Sequence, residues 1–401
     1  MYNNIIYLYQ VSKNDDNTLT FTRINMPNLL YYDVILECAS IIPITYMNSD
    51  AKLLLIAGGR NGNRILDYFA SYIIYLENNN LQIIKKDVQD SFNNPIVLSK
   101  PSYNLSSYYF NDKINKKIIM YFNGNTGNDT VKSNIEVYEI IENNNDIQKP
   151  QPFYLKSTNI VMIDDFSKIN ATSKIVKISG TTSDIIDEYI VNAGGQNNGQ
   201  LNIIYNILTY QKNSVTHFWS GDKLGNDCRW LYAATPMINY NAPGYNKLTN
   251  DKYGKPNYFI TAGGYNKGIT ENKVFYYHID HNNELIQEQA EGLSFNSRAG
   301  SMTTIEHDKK QYALYCGGVN KSAESKVDAY YFDDNNNLVK YPEIKLDQRI
   351  RDNAAVTITK KIGNTEYSYA LSIGGYNEND EALNIIYAYK LNISSSFDIN
   401  T

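Results

Sequence analysis

An all-β fold assembled from repeated four-stranded sheets is what this sequence predicts, and three observations carry the prediction. A glycine pair closes an apolar run at Gly58 and Gly59, Gly194 and Gly195, Gly263 and Gly264, Gly317 and Gly318, and Gly374 and Gly375; a degenerate copy stands at Asn123 and Gly124. Each copy is followed by a second run centred on tyrosine, rich in β-branched and aromatic residues that favour strands. No extended stretch shows helical periodicity.

Taken in order, the chain opens with two strand-like runs, Ile5 to Tyr9 and Leu19 to Arg23. The first repeat climbs from Leu53 to Ala57, restarts at Tyr72 to Tyr75, turns through Glu77 to Asn80 and returns along Leu81 to Ile84. The second runs from Ile118 to Phe122 and restarts at Ile135 to Tyr138. The third uses Tyr189 to Ala193, Ile203 to Tyr205 and Val215 to Trp219. The fourth uses Tyr258 to Ala262 and Val274 to Tyr277, with a polar turn from Asp280 to Asn283. In the fifth, Gly300 to Ile305 precedes Tyr312 to Cys316, Ala329 to Phe332 follows, and the turn Asp333 to Asn337 leads into Leu338 to Tyr341. The sixth uses Ala354 to Ile358, Tyr369 to Ile373 and Ile385 to Tyr389.

That pattern gives four strands, a to d, in each repeat. The second glycines fall at 59, 124, 195, 264, 318 and 375, so the period is loose but the copies stay in phase. Short antiparallel strands repeated in this way predict a β-propeller, one domain over residues 1–401 with six blades, seven being the alternative. Seven runs look like strand c but only six like strand b, so the last blade is expected to be closed by N- and C-terminal strands together. A side chain where strand b ends would obstruct either a left-handed turn or the next blade, which is the physical reason for the glycines. An asparagine two positions later recurs in five of the six copies and is expected to brace the turn with its own side chain.

The glycine pair after an apolar strand, followed by an aromatic-centred strand, resembles the kelch repeat over essentially the whole chain. Two departures stand out: only Trp219 occupies the strand-d tryptophan position, and the second copy has Asn123 for its first glycine. The resemblance implies a protein-interaction scaffold that works through loops at one face. The segment Cys316 to Asn320 is also similar to glycine-pair segments of the six-bladed bacterial sialic acid mutarotases, which implies a carbohydrate-active enzyme as the alternative. A copper oxidase of the galactose-oxidase kind shares the blade pattern, but its ligand set cannot be assembled from four dispersed histidines.

Composition narrows the classes further. A net charge of -5 argues against binding a phosphate backbone, which needs clustered lysine and arginine. No run approaches the roughly 18 apolar residues of a membrane span. Met1 to Gln10 lacks a basic start and a cleavage site, so it reads as a strand rather than a signal peptide. Cys38, Cys228 and Cys316, odd in number and scattered, read as thiols of a reducing compartment, and a cytoplasmic location is expected. No cofactor or metal is expected: His278 and His281 have a ligand-like spacing but no cysteine or carboxylate set beside them.

The strongest candidate site is built from arginine. Arg229, Arg298 and Arg351 sit at similar positions before strand a, Arg298 and Arg351 each seven residues ahead of an isoleucine. On neighbouring blades they would converge and could fork onto a carboxylate or phosphate. Acidic neighbours Asp227, Asp347 and Asp352 offer the other outcome, a structural ring of salt bridges. Tyr265 and Tyr376, directly after glycine pairs, are the candidate aromatic contacts, with Tyr240 and Tyr245 in the long 236–256 connection. The expected partner is another protein, or a small anionic or sugar ligand.

Overall fold

In the computed structural model the described residues are 8–13, 19–24, 38–77, 80–103, 105–111, 116–122, 133–143, 152–163, 172–178, 187–193, 196–197, 200–201, 205–211, 214–221, 232–242, 257–266, 268–279, 285–307, 310–362, 365–383, 385–391 and 397–400. They hold strands, bridges and turns and no helix. Four-stranded antiparallel sheets follow one another along the chain, each paired in the order of sequence, which is the β-propeller class. Sheet 1 takes Cys38–Tyr46, Ser49–Ala57, Phe69–Glu77 and Asn80–Lys86. Sheet 2 takes Ser106–Asn111, Lys117–Phe122, Ser133–Glu142 and Phe153–Ile163. Sheet 3 takes Thr172–Ile178, Asp187–Ala193, Tyr205–Gln211 and Ser214–Gly221 and is described by its backbone alone. Sheet 4 takes Ala233–Met237, Tyr258–Ala262, Val274–Ile279 and Leu285–Ala290. Sheet 5 takes Ser301–His307, Lys310–Cys316, Glu324–Phe332 and Leu338–Ile350. Sheet 6 takes Ala354–Ile362, Thr365–Ile373, Ile386–Leu391 and Phe397–Asn400.

The termini differ from the sequence expectation. Sheet 6 fills its outer position with Phe397–Asn400, while Leu8–Lys13 and Leu19–Ile24 pair with each other in a sheet of two. A strand-c pattern and a plain hairpin strand share the same alternation of β-branched and aromatic residues, so counting such runs does not assign the pairing of the N-terminal strands.

By internal packing the chain divides into two compact units. One comprises Met1–Ser12, Thr20–Ser173 and Asn192–Asp222; the other comprises Lys13–Leu19, Lys174–Val191 and Lys223–Thr401. In the first, sheets 1 and 2 bury Ile42, Leu53, Leu55, Ile73, Ile119, Tyr121, Tyr138 and Phe153 in one core. Strand Cys38–Tyr46 shows why it is a strand: Ile42 and Ile44 point inward while Pro43 between them is exposed and Ile41 is 63% exposed. In the second unit, strand Tyr258–Ala262 is buried at every residue. A strand covered on both faces reads as an unbroken apolar run, and that is the segment that precedes each glycine pair. Tyrosines of the second and third strands are buried with them: Tyr72, Tyr121, Tyr315, Tyr330, Tyr369, Tyr387 and Tyr389 are almost wholly buried.

The glycine pair is left-handed wherever it is described, for example φ 64° and 98° at Gly58 and Gly59 and 64° and 104° at Gly317 and Gly318. Space is as restrictive as conformation. A Cβ on Gly58 would run into the carbonyl oxygen of Ser102 and the Leu105 side chain, and one on Gly317 would lie 2.6 Å from the carbonyl oxygen of Ile350. Gly124, Gly194 and Gly195 lie outside the described residues.

Candidate functional site

At three glycine pairs the second glycine receives the chain arriving for the following sheet. Gly59 N donates to Ser102 O at 2.8 Å, Ser102 N to Leu66 O at 2.9 Å, and Leu66 N back to Gly59 O at 2.9 Å. The same closed triangle joins Gly264, Ser297 and Glu271 at 2.6, 3.0 and 2.9 Å. At the next junction Gly318 N donates to Ile350 O and Glu324 N to Gly318 O, both at 2.8 Å, with Glu324 in register with Ile350. Ser102, Ser297 and Ile350 therefore hold one structural position. The residue after each, Tyr103, Arg298 or Arg351, holds the next.

Two of these junctions are clasped by an arginine on a tyrosine, in opposite senses. Arg298 lies over the ring of Tyr265, the residue after Gly264, at 4.7 Å from its centroid. At the first junction the roles reverse: Arg60, the residue after Gly59, lies over Tyr103 at 5.6 Å. The residue after Gly318 is Val319, which offers no ring. Arg351 turns instead to Tyr376 of its own sheet, 5.3 Å from the centroid. Backbone bridges run beneath, Arg298 with Val319 at 3.0 and 2.8 Å and Arg351 with Tyr376 at 3.0 and 2.9 Å.

Charge distinguishes the two predicted arginines. Arg351 donates to both Asp352 and Asp380. Its affinity for its proton is raised chiefly by the bond to Asp380, against the opposing effect of burial, with Asp352 adding to the rise. Arg349 beside it pairs with Glu378 at 2.7 Å. Asp352 N also donates to Ala299 O at 2.8 Å, so the corners bearing Arg298 and Arg351 abut; Ala299 and Asp352 are both left-handed, at φ 55° and 52°. Arg298 itself has no carboxylate within ion-pair reach among the described residues. The structure thus joins Arg298 to Tyr265 and Arg351 to Tyr376. Arg229, Asp227 and Tyr245 lie outside the described residues, and Tyr240 is half-buried at the start of the 236–256 connection.

The loops at these corners are held by local side chains. Asn377 Oδ1 accepts from the backbone N–H groups of Asn379 and Glu381 at 2.9 and 3.0 Å, the bracing expected of the asparagine after the glycine pair, whereas Asn266 Oδ1 at the equivalent position is buried and makes no such bond. The same turn recurs at Asp333, which accepts from Asn335 and Asn337, and at Asp90, which accepts from Phe92 and Asn94. His278 lies 3.8 Å from Glu288 and 5.0 Å from the ring of Tyr258, while His281 is outside the described residues.

A second feature was not singled out in the sequence. A groove of about 490 Å³ opens in sheet 2 between the loop carrying Asp90, Phe92, Pro95, Ile96 and Val97 and the strands carrying Glu136, Tyr138, Leu155 and Ser157. Its floor is Glu136, fully buried, which accepts from Ser99 N at 3.1 Å, Ser99 Oγ at 2.7 Å and Tyr138 OH at 2.7 Å. Burial first, and the carboxylate second, hold the Tyr138 phenol far above its usual range, so it is a donor at every ordinary pH. Phe92 and Val97, 82% and 51% exposed, stand at the rim. The signal in the sequence was an acid inside an apolar strand, Ile135 to Tyr138.

No family model matches the chain, and no curated protein does. Among solved structures, one titled "Structure of YjhT" is similar to it, with a TM-score of 0.47 and 10% identity over 92% of this chain and 97% of that one.

Proposed function

We propose that the chain is a binding scaffold, a kelch-type propeller of six blades forming one domain over residues 1–401, which recognises another protein through its loops. One observation carries this reading: the loop from Asp90 to Val97 is braced by its own turn yet presents Phe92 and Val97 to solvent beside a groove. Exposed apolar side chains on a rigid loop are what an interface anchor requires. The corner geometry supports the same reading, because Arg351 is committed to two carboxylates and a ring rather than held ready for a ligand. The test is affinity capture from source cells with the full chain and with a Phe92→Ser, Val97→Ser double variant. A discrete partner kept by the wild type and lost by the variant supports the scaffold; equal capture by both contradicts it.

A second reading keeps a specific observation, the Arg298 guanidinium stacked on Tyr265 with no described carboxylate partner. There the corner would bind an acidic sugar, as an enzyme of the sialic acid mutarotase type does. A thermal-shift titration with acidic sugars tests it. Stabilisation that Arg298→Ala abolishes supports the reading, and loss of stability in that variant without any ligand effect removes it.

A further inference from the structure

Sheets 2 and 5 carry the same device, and one difference between them is the residue on the outer strand. Glu136 faces Tyr121 across the sheet as Asp328 faces Tyr315, and Tyr138 faces Ile119 as Tyr330 faces Ala313. In both, the buried carboxylate takes the incoming loop by a serine. Glu136 accepts from the N–H and Oγ of Ser99, and Asp328 from the N–H and Oγ of Ser294, both at 2.7 Å. On the outer strand, Tyr330 is paired with Lys340 and Tyr138 with Ser157.

In sheet 5 that lysine closes the device. Its side chain is 11% exposed, and its ammonium donates to Gly292 O at 3.1 Å and Ser294 Oγ at 2.6 Å and lies 3.3 Å from Asp328. Sheet 2 retains the matching positions, Val97 for Gly292, Ser99 for Ser294 and Glu136 for Asp328, but Ser157 stops short of them. Ser99, Glu136, Tyr138 and Ser157 line the groove. The groove therefore opens where the sheet 5 lysine runs. Its lining adds Asp90 to Glu136 against a single basic residue, Lys156, and offers Ile96 and Leu155 as apolar walls.

We propose that this groove binds a primary alkylammonium group, its stem along Ile96 and Leu155 and its ammonium against Ser99 Oγ and Glu136 as Lys340 lies against Ser294 and Asp328. The ammonium site stands on the comparison of the two sheets. The source of the amine, a lysine side chain of a partner protein, rests on the scaffold reading above.

Titration calorimetry on the full chain tests both parts. The probes are N-acetyl-lysine methylamide, its Nε-acetylated neutral counterpart and cadaverine. Saturable binding of the first and third but not the second is expected. Ser157→Lys is expected to weaken it roughly tenfold or more by supplying the internal lysine. Glu136→Gln, which keeps an acceptor for Ser99 but removes the charge, gives the same loss should Ser157→Lys fold poorly. Equal binding of the neutral probe, no saturable binding of either amine, or full binding by Ser157→Lys overturns the site. A lysine-bearing peptide that binds no better than cadaverine overturns the partner source and leaves the ammonium site standing. Capture of a partner that persists while ammonium binding is absent, or the reverse, separates failure of this site from failure of the scaffold reading.

Discussion

At the scale of single residues, small differences in one position have large consequences because the positions are buried. Gly58 is left-handed and closed off by the Ser102 carbonyl, so Gly58→Ala adds backbone strain to a clash that a backbone atom cannot relieve. Urea denaturation is expected to show a loss of about 2–4 kcal/mol. Lys340 and Asp328 form a pair in which the acid is wholly buried. Lys340→Met leaves that charge without its ammonium, and a loss of about 3–5 kcal/mol is expected by the same measurement. Cys316 shows a pH effect of definite sign. Burial pushes its thiol up to about 12, with a bond to Tyr389 in partial opposition. The stability this brings is complete below the unfolded thiol's pKa of about 8.5 and is lost as pH rises toward 12. Native-state alkylation at pH 8, mapped by mass spectrometry, is expected to spare Cys316 until the chain is unfolded.

Elements meet here through corners whose backbone is repeated and whose side chains are not. The triangle of hydrogen bonds at Gly59 and Gly264 is the same, but the clasp above it is arginine over tyrosine at one junction and tyrosine under arginine in the reverse order at the other. If the cation–π contact is what matters, order should not. The double swap Arg60→Tyr with Tyr103→Arg is expected to keep wild-type stability. Each single change places two rings or two guanidinium groups together and is expected to lose about 0.5–1 kcal/mol, so that the thermodynamic cycle shows coupling. Equal losses that simply add would mean the rings only fill space. This reversal also explains a limit of reading the repeat from sequence. Arg298 and Arg351 were visible because they share a slot, whereas Arg60 and Tyr103 were not, since each carries the residue type expected of its partner.

For the molecule as a whole, the in-phase glycine pairs made the class of fold and the ends of the second strands readable before any coordinate. They mark the one place where conformation and space forbid every other residue. The pairing of the terminal strands was not readable, because a hairpin strand and a third blade strand carry the same residue pattern. The groove was unreadable for a different reason: the correspondence of Ser157 with Lys340 depends on a bulge between Val137 and Tyr138 that shifts the register of the outer strand. The most direct measurement is a crystal structure of the Ser157→Lys variant. The equivalence of the two sheets requires the new ammonium within hydrogen-bond distance of Ser99 Oγ and close to Glu136, closing the groove as Lys340 closes its own sheet. A lysine turned outward to solvent, with the groove still open, would contradict it.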